Sequence, residues 1–205
     1  MKPRLPRMIA VALFLTGLSL PPAALAHDMG KMDMGASLPV AGASQIGGGY
    51  SLTDQNGRTV TDRDFAGRYQ LIYFGFASCP DVCPVDLRKM TDALNILGGK
   101  QAGRVAPIFI TVDPERDTPE ALKRYVPQFS PKLTGLTGPK DQIAAVLAGY
   151  KVYAAKAGKP QTGDYAMSHS AYIYLMGPDG KFIDIFGPDD KASDIAAKLK
   201  KLVSL

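Results

Sequence analysis

Apolar residues fall along this chain in two rhythms. Residues 71–76, Leu-Ile-Tyr-Phe-Gly-Phe, form an unbroken apolar, aromatic and β-branched run between polar neighbours, the pattern of a strand buried on both faces. Residues 84–97 instead place their apolar positions at helical spacing, with Pro84 suited to a first turn, where a missing N–H leaves no bond unmade. A second apolar strand is predicted over 105–112, and strand, helix, strand implies a parallel pair with a right-handed crossover. Thr118-Pro119-Glu120 combines a capping hydroxyl, a first-turn proline and an early acid, which predicts a helix over 118–126; another is predicted over 141–150. Residues 172–176 and 181–186 flank Gly177-Pro178-Asp179-Gly180, a hairpin signal, and an amphipathic helix over 192–203 closes the chain. Upstream, 50–53 and 59–61 flank a turn with an Asn56-Gly57 step, so a short hairpin opens the domain, followed by a turn or brief helix over 62–67. The class is α/β, a central mixed β-sheet flanked by helices with an N-terminal hairpin, and there is no internal repeat.

At 205 residues the chain is long enough to bury a sizeable core, and 46% hydrophobic with 21% charged residues is an ordinary globular composition, neither disordered nor multi-span. The formal charge of +5 overstates the basic character of the folded part. Lys2, Arg4 and Arg7 stand at the extreme N-terminus, and subtracting those three leaves +2, with the remaining bases interleaved among acids; no nucleic-acid partner is indicated. Those three bases, an apolar run over 8–20 and Ala24-Leu25-Ala26 together predict a signal peptide over 1–26. The run is interrupted by Thr16, Gly17 and Ser19 and closes at Pro21-Pro22, short of the roughly 20 apolar residues of a membrane span, so cleavage is favoured over anchoring. A periplasmic or otherwise extracytoplasmic location follows, and residues 27–49 read as a tail and glycine-rich linker leading to one domain over 50–205.

Ser78-Cys79-Pro80-Asp81-Val82-Cys83-Pro84 holds the chain's only two cysteines, where a central strand ends and a helix begins. Unpaired N–H groups and the partial positive charge of a helix N-terminus favour thiolate over thiol, so the expectation is a lowered cysteine pKa and reactive or metal-binding sulfur. An exported dithiol also has a structural reading, a disulfide staple. Two sulfurs suit soft metals, while structural zinc normally takes four closed ligands.

A parallel pair, an antiparallel hairpin and a closing helix, with cysteines after the first central strand, resemble the thioredoxin-like fold. The Cys-x-x-x-Cys spacing departs by one residue from the usual redox motif and, as Cys79-Pro80-Asp81-Val82-Cys83-Pro84, resembles the metal-binding motif of the SCO/SenC family, exported copper chaperones of cytochrome oxidase assembly. Val112-Asp113-Pro114-Glu115-Arg116-Asp117-Thr118-Pro119 and Asp164-Tyr165-Ala166-Met167-Ser168-His169-Ser170, followed by the Gly-Pro-Asp-Gly turn, agree with it in order. The resemblance implies that Cys79, Cys83 and His169, the last in a polar loop, are copper ligands. A dithiolate with one imidazole suits Cu(I), and Cu(II) would add a nitrogen or oxygen ligand. Asp113, Arg116 and Asp117 read as a turn with an internal ion pair, Asp81 and Asp164 as groups orienting the cysteine loop or His169, and Tyr165 and Met167 as packing or site lining.

Cleavage after Ala26 would expose His27, whose amine and ring nitrogen suit Cu(II), beside Met29, Met32 and Met34, whose thioethers suit Cu(I). This composition resembles the methionine- and histidine-rich segments of exported copper-handling proteins, and that resemblance implies a candidate secondary copper site, the alternative being a solvated polar tail. The chain departs here from the family's common membrane-tethered form. Two functions remain open: a metallochaperone passing copper to an exported acceptor, such as a cytochrome oxidase subunit, with another copper chaperone as a further partner, or a thiol–disulfide oxidoreductase in which Cys79 and Cys83 reduce that acceptor's cysteines. His169 separates them, because sulfur exchange needs no distant imidazole.

Overall fold

The computed structural model describes residues 46–159 and 164–203, without the side chains of Lys159 and Asp164; the predicted signal peptide and the predicted tail with His27, Met29, Met32 and Met34 lie outside the described residues. The opening hairpin pairs β1 (Ser51–Asp54) with β2 (Thr59–Thr61), Leu52 opposite Val60. Gly57 takes φ +79° in its turn, and the Asp54 carboxylate accepts from the Asn56 and Arg58 N–H groups at 2.8 and 2.9 Å. A 3-10 turn over Asp62–Phe65 leads to β3 (Tyr69–Gly75), buried in all but its first residue. Next come α1 (Val82–Leu97), the short α2 (Gly99–Gly103) and the wholly buried β4 (Val105–Thr111).

α3 (Pro119–Tyr125) starts as expected, with the Thr118 hydroxyl accepting from the Ala121 N–H at 3.3 Å. Two features were not anticipated. β5 (Thr134–Thr137) is a buried strand, and after α4 (Lys140–Gly149) the chain forms a separate two-stranded sheet of β6 (Ala154–Lys159) and β7 (Asp164–His169). β8 (Ile173–Met176), β9 (Phe182–Phe186) and α5 (Ala192–Val203) complete the fold, the last over the predicted residues.

The main sheet has the order β2-β1-β5-β4-β3-β8-β9. β3, β4 and β5 run parallel at its centre, with antiparallel partners on both sides, so the sheet is mixed as expected. α1 packs on α5, α3 against β5, and α4 against β1. Covering helices make β3 and β4 continuous apolar runs: Leu71, Ile72, Tyr73 and Phe74 are fully buried, as are Ile108, Phe109 and Ile110. Among the described residues no helix is long and apolar enough to cross a membrane.

Candidate metal centre

The sulfur half of the site grows out of β3. Gly75 pairs with Thr111 at the end of the ladder, and the chain then turns, the Cys79 N–H donating to the Phe76 carbonyl at 3.2 Å. α1 begins at Val82, two residues before Pro84, which keeps the proline in the first turn and brings Cys83 inside the helix. Both cysteines are free; Cys79 is half-buried and Cys83 is fully buried. The Cys83 N–H points at Cys79 Sγ, 3.4 Å away, one of the helix's first unpaired donors aimed at a sulfur. Space here is tight enough to require glycine at position 75: an added Cβ would lie 2.8 Å from the Tyr73 ring and 3.0 Å from Cys83 Sγ.

The expected lowering of the cysteine pKa does not hold at Cys83. Burial pushes its thiol up to about 12, outweighing a hydrogen bond with the Phe76 backbone that acts the other way. The metal-free site therefore holds a neutral Cys83 thiol, and taking up a soft cation must release its proton. The buried Tyr73 hydroxyl stands beside Cys83 and, as a hydrogen-bond donor to the sulfur, favours the thiolate against the larger effect of burial.

His169 arrives from the opposite direction. It is the last residue of β7, paired with Ala154, and thus belongs to the end of a strand and not to the expected polar loop. Its ring stands edge-on to Phe76 and Tyr73, with centroids 5.8 and 6.2 Å apart. Nδ1 lies 3.0 Å from the Ser170 carbonyl, which only accepts, so Nδ1 carries the proton and Nε2 presents its lone pair. That lone pair faces Cys83 Sγ at 3.4 Å, where the neutral thiol can donate to it.

The turn after β4 touches both halves. Asp117, buried, accepts from the Ala77 N–H (3.0 Å) just before the cysteine loop and from the Thr111 hydroxyl (2.6 Å), yet burial still raises its pKa. Asp113 accepts from the Tyr165 hydroxyl of β7 at 2.9 Å and pairs with Arg116, whose Nη1 donates to the Tyr165 carbonyl at 2.8 Å. The guanidinium also lies over the Tyr165 ring, 4.0 Å from its centroid. The expected internal ion pair is present, but its partners across the fold, 49 and 52 residues away, could not be read from local spacing.

The structure thus brings Cys83 and His169 into contact and sets Cys79 in the loop before α1, its Sγ 3.4 Å from the Cys83 nitrogen. Among the described residues no group of three His, Cys, Asp or Glu side chains is already closed around a metal position. The donor set fits copper: two sulfurs, one imidazole whose Nε2 lone pair faces the inner sulfur, and a phenol hydroxyl beside that sulfur. Of the remaining candidates, Asp81 is the exposed N-cap residue of α1 and makes no capping bond through its side chain; that of Asp164 lies outside the described set. Met167 lines a cavity of about 250 Å³ with Val112, Ile143 and Leu147.

Fold and site together define a thioredoxin-like protein in which an imidazole from a separate hairpin meets the inner cysteine of a dithiol. The SCO1/SenC family model matches residues 39–204, and the chain belongs to that family. It is 45% identical over 159 residues to the mitochondrial SCO1 homolog of Mus musculus, covering 77% of this chain and 56% of that relative, so it spans little more than half the relative's length. Bradyrhizobium japonicum ScoI with copper bound superposes with TM-score 0.70 at 47% identity, over 76% of this chain and 98% of that one. BsSco, described as having a disulfide switch and as a member of the Sco family of cytochrome c oxidase assembly proteins, superposes with TM-score 0.61 at 29% identity, over 79% and 95% of the two chains.

Proposed function

We propose that this protein is an exported copper metallochaperone that holds one copper between Cys79, Cys83 and His169 and delivers it to a respiratory cytochrome oxidase or another exported cuproprotein. The observation that carries the reading is the 3.4 Å approach of His169 Nε2 to Cys83 Sγ, with Nδ1 already committed to a carbonyl. Sulfur exchange proceeds with two thiols alone, so an imidazole brought to the dithiol from a separate hairpin favours the metal-ligand reading. Copper bound to a solved relative, and another relative's place among oxidase assembly proteins, support the same cargo and destination.

Copper is the cargo, and this chain's residues define how it is held and released. On binding, copper would displace the Cys83 proton, Tyr73 would donate to the thiolate left there, and His169 would offer Nε2, its Nδ1 being held by the Ser170 carbonyl. Cys79 is half-buried and Cys83 fully so, which makes Cys79 the sulfur that an acceptor's ligand replaces first, with Cys83 and His169 holding the ion until a second acceptor ligand arrives. In the second reading, Cys79 attacks an acceptor disulfide and Cys83 resolves the mixed disulfide, the dithiol supplying the two electrons; both cysteines are free, and Cys79 Sγ lies 3.4 Å from the Cys83 nitrogen.

The test compares delivery in cells lacking the native protein, complemented with wild type or His169→Ala. The chaperone account expects the variant to fail in copper delivery while retaining thiol–disulfide exchange. Full rescue by His169→Ala would transfer the function to the reductase reading.

A further inference from the structure

The hairpin β6–β7 that carries His169 makes no ladder with the main sheet. Among the described residues, its hydrogen bonds and ion pairs to the rest of the domain, apart from those of His169 to Cys83 and to the adjacent Ser170 carbonyl, land on one turn. Lys156 pairs with Glu115, Tyr165 donates to Asp113, and Arg116 donates to the Tyr165 carbonyl while stacking on its ring. The same turn reaches the cysteine loop through Asp117 and the Ala77 N–H, and the Arg116 guanidinium lies 5.9 Å from Phe76, whose ring buttresses His169.

From this arrangement we infer that Arg116 is a positioning residue for the third copper ligand: it fixes the reach of His169 relative to Cys83 and thereby sets how strongly the site distinguishes Cu(II) from Cu(I). The inference rests on the ligand assignment proposed above. Three grips act through one planar fork: an ion pair with Asp113, a bond to a backbone carbonyl on β7, and stacking on the ring next to it. A lysine can retain the charge but not the fork. Tyr165 lies four residues before His169 on the same strand, so both occupy the same face by strand alternation, and a shift at one is passed to the other. The sulfurs stand on β3–α1, which meets this turn through Asp117 and the Ala77 N–H and is otherwise held by the core. Cu(I) bound by both thiolates and the imidazole can fall back on a two-coordinate dithiolate when the nitrogen is displaced, whereas Cu(II) cannot, so loosening the latch weakens Cu(II) more than Cu(I).

The test measures Cu(I) and Cu(II) dissociation constants by competition for wild type, R116M, R116K, Y165F and H169A, with unfolding midpoints of the metal-free proteins and nitrogen hyperfine structure in the Cu(II) electron paramagnetic resonance spectrum. R116M is expected to lose about 10- to 100-fold more Cu(II) than Cu(I) affinity, the range for groups that orient a metal ligand, with broadened nitrogen hyperfine lines. R116K should recover only part of the loss, and Y165F should move the ratio in the same direction by a smaller factor. If H169A shifts the ratio but R116M and Y165F do not, or if R116M weakens both oxidation states equally, Arg116 only packs and the inference falls. If H169A itself leaves the ratio unchanged, the ligand assignment fails and the inference with it. Y165F removes a single oxygen, so it decides the matter should R116M not fold.

Discussion

Cys83 and His169 face each other across 3.4 Å, but they are held there in different ways. Cys83 is in the first turn of a 16-residue helix that follows a core strand, fully buried beside Tyr73 and Phe109. His169 ends a two-stranded hairpin attached by a few polar contacts to one turn, with Met167 and Ala154 as its apolar footing. Displacing the sulfur means disturbing close packing in the core. Displacing the imidazole means breaking a handful of hydrogen bonds, each contributing roughly 0.5–1.5 kcal/mol, more where a charge takes part. A site built from one fixed and one releasable half suits a protein that must both hold an ion and give it up.

The contrast predicts that the largest effect comes from striking the fixed half. In Gly75→Ala the new methyl would meet the Tyr73 ring at 2.8 Å, Cys83 Sγ at 3.0 Å and the Phe109 ring at 3.1 Å. Overpacking of this kind costs about 1–3 kcal/mol and should also displace the inner sulfur. Urea unfolding together with copper stoichiometry checks this; wild-type values for both would show that the sulfur half is not rigid.

A smaller effect is expected at the link. The Asp117 carboxyl has its pKa raised, burial being the leading cause, so the folded state binds its proton more tightly than the unfolded chain. Its contribution to stability is therefore complete in acid and is lost as pH rises from the ordinary carboxyl value of 3.8 through the raised one. Asp117→Asn should remove this downward slope, leaving a more level stability profile across the range that begins at the ordinary carboxyl value of 3.8 and extends upward. It should also lower copper affinity less than loss of any ligand, because the amide oxygen can still accept from Ala77. Unfolding midpoints across that range check the sign, and an unchanged slope would show that Asp117 is not the group responsible.

What could be read in advance follows the same division. The fixed half was legible because its signals are local: the apolar run of β3, the proline of α1, the cap and proline of α3, and the amphipathic α5, observed over its predicted residues. The releasable half was not. β6 and β7, Ala-Ala-Lys-Ala-Gly-Lys and Asp-Tyr-Ala-Met-Ser-His, contain no valine, isoleucine or threonine, and β5 is only four residues with a glycine among them. The Arg116–Tyr165 and Asp113–Tyr165 contacts join distant positions, so the motif around them showed its ion pair but not its function as a link. Helix placement suggested a lowered cysteine pKa, but at Cys83 the desolvation of a fully buried sulfur prevails.

The smallest effect belongs to a region outside both halves. Deleting residues 27–34, with His27, Met29, Met32 and Met34, should remove a second, weaker copper equivalent and slow loading at low copper without changing the affinity of the domain. Titration followed by mass spectrometry counts the equivalents; unchanged stoichiometry and loading rate in the deletion would show that the tail takes no part.

The central claim is that one ion joins the two halves. Copper K-edge X-ray absorption on the reduced, singly loaded protein tests it directly. The account predicts two sulfur scatterers and one imidazole, with the imidazole signal lost in His169→Ala and one sulfur lost in Cys79→Ala. A copper shell without sulfur, or one unchanged by His169→Ala, would contradict it.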